Sequence, residues 1–169
     1  MRKIAGLLAL AAFAGLSTMS SFAGTCSNET IEGYYAFTVS GEVFTSAGLV
    51  YRDGIALTYF NGHGMLSQMD YVLANGVAVP GPTGPDGFHV DETGSYSVNE
   101  NCTGKAEIDF ATPPGGTSGA KIDLLFIVAD GGRQIHTIVT SLTPPNSTTA
   151  VPANIHSDAV RVDGPRFGD

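Results

Sequence analysis

Tryptophan is absent, cysteine occurs only twice, and charged residues make up just 14% of the 169 positions. Lys and Arg number 8 against 16 Asp and Glu, and the basic residues form no cluster. That balance argues against nucleic acid or an anionic membrane as a partner. The chain also lacks C-x-x-C, H-E-x-x-H and G-x-S-x-G, so the commonest thiol, zinc and serine chemistries have no signature here. Beyond residue 23 no apolar run approaches the ~20 residues a membrane helix needs, and no stretch there keeps a helical period.

What is present begins with a leader. Met1-Arg2-Lys3 is basic, residues 4–16 are apolar, and Ser21-Phe22-Ala23 places small residues at −3 and −1 of a cut after Ala23. This layout predicts a Sec-type bacterial signal peptide over residues 1–23 and a secreted or periplasmic protein. Its removal leaves about 146 residues and moves the net charge from −8 to about −10. That is one domain's worth of chain, expected over residues 24–162 with a frayed tail at 163–169.

In an oxidising compartment Cys26 and Cys102 are expected to pair with each other. A lipid anchor on Cys26 fits poorly, because Thr25 precedes it and Cys102 would lose its partner. On the chain-entropy model, closing so long a loop stabilises the fold by about 4.5 kcal/mol, with ~2–4 kcal/mol more typical of measurement.

Period-two alternation predicts strands, punctuated by glycine-containing turns. Residues 32–39, 43–51, 55–60, 65–74, 95–100, 105–110, 122–129, 133–142 and 153–162 carry the pattern, with Arg52-Asp53-Gly54 and Asn75-Gly76 as turns. Within 65–74, Met65, Met69, Tyr71 and Leu73 share a face opposite Gln68 and Asp70. Residues 122–129 are apolar on both faces, as for a central or covered strand. Three Pro/Gly-rich stretches interrupt the pattern at residues 80–88, 112–120 and 143–149, and read as long loops. Successive tight hairpins predict an all-β, antiparallel, up-and-down barrel of eight to ten strands, with a β-sandwich as the alternative. A small barrel is either filled by its own side chains or holds one small ligand.

Few residues offer chemistry. His136 sits mid-strand beside Gln134 and is the weak candidate for an acid or base, against the plainer reading of an exposed strand histidine. Tyr34, Tyr35 and Tyr96, with Gln134, are weak candidates for ligand contact, although strand tyrosines more often build core. His89 with Asp86, Asp91 and Glu92 could line a cation site, but without metal-ligand spacing a solvated acidic loop is the expectation. His63 reads as a turn residue and His156 as solvent-facing. Asn28-Glu29-Thr30, Asn101-Cys102-Thr103 and Asn146-Ser147-Thr148 match a glycosylation triplet that is common by chance. No cofactor and no metal are implied.

Gly33-Tyr34-Tyr35-Ala36-Phe37, Asp53-Gly54, Leu66-Ser67, Gly94-Ser95-Tyr96-Ser97-Val98-Asn99, Asn101-Cys102-Thr103-Gly104 and Gly132-Arg133-Gln134-Ile135-His136 occur in this order. The series resembles a family of small exported bacterial proteins of unassigned function, similar to calycin-type barrels and distantly to the allene oxide cyclase and dirigent barrels. That pattern has Asp where Asn101 stands and Glu where Gln134 stands, and the G-x-W of lipocalins is missing. The resemblance implies a barrel and supplies no activity. The leading expectation is therefore non-catalytic binding of a small apolar molecule or an envelope protein. The rivals are an isomerase or cyclase working inside the barrel, and a structural or adhesive surface protein.

Overall fold

The structure is a computed structural model and describes residues 25–164; the leader, with its expected signal peptide, and the last five residues lie outside the described residues. Nine strands follow a short 3-10 turn at Asn28–Ile31: β1 (Gly33–Thr45), β2 (Gly48–Phe60), β3 (Met65–Ala74), β4 (Val77–Ala78), β5 (His89–Val98), β6 (Thr103–Asp109), β7 (Lys121–Ala129), β8 (Gln134–Thr143) and β9 (Ala153–Val162). All ladders are antiparallel. β9 returns to β1, and β2 pairs with both β1 and β3, so eight strands close into a barrel with β4 as a two-residue appendage. The barrel, rather than the sandwich, is the fold. Closure leaves no long strand edge unpaired.

Alternation sets the wall. In β6, Ala106 and Ile108 are buried between the outward Lys105, Glu107 and Asp109. In β7, Leu124, Phe126 and Val128 face in while Leu125 and Ile127 are exposed, so this strand is apolar on both faces without being covered by another described element. Asn75 and Gly76 both adopt positive φ (50° and 79°), the geometry a two-residue hairpin requires.

Two local readings change. Arg52-Asp53-Gly54 is no turn: β1 and β2 run in unbroken register from Gly33↔Phe60 to Thr45↔Gly48, and the chain reverses at Ser46-Ala47 instead. Gly54 is there because a Cβ would come within 2.9 Å of β3 atoms, so a close approach of strands mimics a turn signal. β5 also begins six residues earlier than alternation suggests, at His89 rather than Ser95.

The two ends of the barrel differ. One end carries the short turns at 61–64, 99–102 and 130–133, together with the N-terminal segment. Ile31 and Tyr35, both fully buried, plug it, with Phe60 packed edge-on between Tyr35 and Tyr96 at 5.5 and 4.9 Å. Burying a side chain such as Ile31 stabilises by ~1.5–3 kcal/mol. The Cys26–Cys102 disulfide spans 76 residues and clamps this plug to the β5–β6 turn, where the Cys26 amide also donates to the Glu100 carbonyl at 3.2 Å. At the opposite end the β1–β2 hairpin and all three Pro/Gly-rich stretches emerge. Two of these are stitched together by Asn146, whose Oδ1 accepts from the Thr117 and Ser118 amides at 2.6 and 3.3 Å.

Candidate functional site

A cavity of about 290 Å³ occupies the upper barrel and opens among the loops. Phe60, Phe126 and Leu66 form its floor, Ala56, Ile108 and Leu124 part of its walls, and Pro80, Pro113 and Pro144 part of its rim. The three loops that break the strand pattern therefore meet at one mouth.

One wall is polar. Gln68 and Asp70, on the inward face of β3, stand opposite Glu92 and His89 of β5. Glu92, Asp70 and His89 are 2%, 3% and 8% exposed, far more buried than charged residues usually are. Thr58 Oγ1 donates to Gln68 Oε1 at 2.8 Å, Gln68 Nε2 donates to Glu92 Oε2 at 2.9 Å, and His89 Nδ1 lies 2.8 Å from Asp70 Oδ1. Among the described residues no buried side-chain polar atom lacks a partner, so the cluster satisfies itself.

His89 and Glu92 are three apart, and in a regular strand they would face opposite ways. A β-bulge brings both inward: His89 pairs with Asp70 and Glu92 with Gln68, so four residues of β5 span three of β3. Asp91 absorbs the extra residue at φ 63°. Bulges often re-aim side chains beside functional sites.

Burial, and then the neighbouring Asp70 charge, push the Glu92 carboxyl up to about 8, against the pull of the Gln68 amide. Burial also raises Asp70, opposed by its hydrogen bond with His89. At neutral pH Glu92 is thus the partner that keeps a proton, while Asp70 is held against the His89 ring. A neutral acid beside an Asp–His pair can hydrogen-bond a ligand or move a proton. One ligand atom from each of Asp70, His89 and Glu92 lies within 4.8 Å of the others. The set could contact a cation, but as hydrogen-bonded here it is already complete.

The residues singled out in the sequence lie elsewhere. His136 is on the outer wall with its side chain 52% exposed, and its Nδ1 sits 2.6 Å from Asp158 Oδ1. It cannot serve a reaction inside the barrel. Gln134 is exposed beside it, and Tyr34 packs on the outside against Tyr59 at 4.8 Å. Tyr35 and Tyr96 point in but belong to the plug below the cavity. The Tyr35 hydroxyl donates to the Gly132 carbonyl and accepts from Arg161 Nε at 3.1 Å, and the Tyr96 hydroxyl donates to the Asn28 carbonyl at 3.3 Å. His63 lies in a turn and His156 is exposed, each as expected, whereas His89 and Glu92, read as a solvated loop, are interior. The missed signal was the pairing of Gln68 and Asp70 opposite an apolar face. The apolar face of β3 is the outer one, with Met65 and Tyr71 exposed.

No helix among the described residues is long and apolar enough to cross a membrane. No protein-family model matches the chain, and neither a curated protein nor a solved structure matches it. Of what the resemblance implies, the closed antiparallel barrel stands.

Proposed function

We propose that the chain is an exported binding protein whose barrel encloses one small, largely apolar molecule. The observation that carries this reading is the cavity of about 290 Å³ with mostly apolar walls and a few polar groups, rimmed by the three proline-rich loops. Ligand sites commonly combine such walls with a few placed polar groups, and this volume lies near the lower end of their range. The Cys26–Cys102 bridge supports an oxidising compartment, and kinship with the exported calycin-like barrels that the motifs resemble belongs to the same proposal.

The neutral dye N-phenyl-1-naphthylamine tests it directly, because the chain has no tryptophan to interfere. Fluorescence should rise on mixing with the wild-type protein and stay flat with Ala56→Phe, which places a ring in the cavity. Equal response from both proteins would remove the reading. Native mass spectrometry of protein from its own host would weigh any molecule carried inside.

A second reading has a specific observation behind it. Glu92 as acid and His89 as base, oriented by Asp70, could shift a proton within a bound ligand, which relocates the isomerase expectation from His136 to the inner wall. Turnover of a molecule recovered from the host protein should then fall at least ~100-fold in His89→Gln while binding survives. Unchanged turnover would dismiss this reading.

A further inference from the structure

Arg52 stands out among the cavity residues because nothing in the fold uses its charge. It belongs to β2, faces inward, and lines the cavity at the loop end. Its cross-strand partners are Gly41 on β1 and Ala74 on β3, so neither neighbour competes with the guanidinium for space. None of the described carboxylates forms an ion pair with it. Burial alone lowers its affinity for its proton, with no compensating charge nearby. A half-buried cation without a partner is unfavourable, and in a chain that carries only 8 basic residues its place above an apolar cavity is informative.

We propose that Arg52 receives the anionic headgroup of an amphiphile whose apolar tail fills the barrel. This rests on the cavity-binding reading and names its ligand class. A guanidinium presents a fork of donors that matches a carboxylate or sulfate in two hydrogen bonds. Beside and below it the lining is mostly hydrocarbon, as a tail requires: Val139 and Ile155 near its own level, then Ala56, Ile108 and Leu124. The deep polar wall fixes the direction of binding. Its two acids, Asp70 and Glu92, already take the hydrogen bonds of His89 and Gln68 and leave an anion no free donor there, so the headgroup is held at the mouth, four residues up β2 from the Ala56↔Asp70 pair. That distance is about 13 Å of strand.

Displacement of N-phenyl-1-naphthylamine by decanoate and by 1-decanol tests the headgroup separately from the tail. With wild-type protein, decanoate should compete about 10- to 100-fold more tightly than decanol, the range expected for hydrogen bonds to a charged group. Arg52→Gln should abolish that preference and leave decanol unchanged, and Arg52→Lys should restore part of it. Equal competition by the two probes in the wild type, or an undiminished preference in Arg52→Gln, overturns the proposal while leaving cavity binding intact. Failure of the dye itself to bind overturns both.

Discussion

Glu92 makes stability depend on pH in a direction opposite to that of a carboxylate held by an ion pair. Its ordinary value of 4.5 becomes about 8 in the folded chain. Between those values the folded protein holds a proton that the unfolded chain has released, so raising the pH favours unfolding. The contribution is complete below about pH 4.5 and gone once pH has risen through about 8, with a slope of at most ~1.4 kcal/mol per pH unit. Glu92→Gln keeps the neutral shape and should flatten this decline, leaving only what Asp70 adds in the same sense. Urea midpoints measured at about pH 5 and pH 9 check it; parallel losses in variant and wild type would refute a protonated Glu92. The same residue shows why the site was hard to read from the sequence. Asp, Glu and His beside a Pro/Gly stretch look like a solvated loop, and only long-range pairing with Gln68 and Asp70 reveals them as interior.

At the scale of elements, the β5 bulge is the device on which the polar wall depends. Asp91 holds φ at 63°, tolerable for Asp but poor for a β-branched residue. Asp91→Val should therefore lower stability by ~1–2 kcal/mol, whereas Asp91→Gly should be neutral or stabilising; thermal unfolding of the pair measures the difference. If valine is accepted without loss, the backbone at Asp91 is not what positions His89. Legibility followed regularity. Asn75-Gly76 and the alternation of Lys105 to Phe110 carry local rules that the fold obeys. The bulge breaks the period of two, so the alternation rule placed Ser95 and Tyr96 and missed His89 and Glu92. Gly54 misled differently, since a glycine needed for close strand contact has the same letter as one needed for a turn.

For the molecule as a whole, the meander of hairpins already suggested a barrel. The sequence contains nothing local about its closure, which depends on β9 finding β1 across the length of the chain. The division of labour between the ends was equally invisible, because it emerges only when alternate turns are stacked. Cys26→Ser with Cys102→Ser should lower stability by about 2–4 kcal/mol, read from the denaturant midpoint, while dye binding at the mouth persists under native conditions. Loss of the dye at unchanged stability would mean that the clamp shapes the cavity rather than stabilising the fold.

The asymmetry of the turns has a consequence for change over time and for engineering. The bowl keeps its stability in short hairpins, an aromatic floor and a covalent rivet, all remote from the lip. The lip is made of segments that contribute little to the wall ladders, so it can be recut, lengthened or exchanged without retuning the vessel beneath. Selectivity and durability are thus separable properties, each written at its own pole of the cylinder.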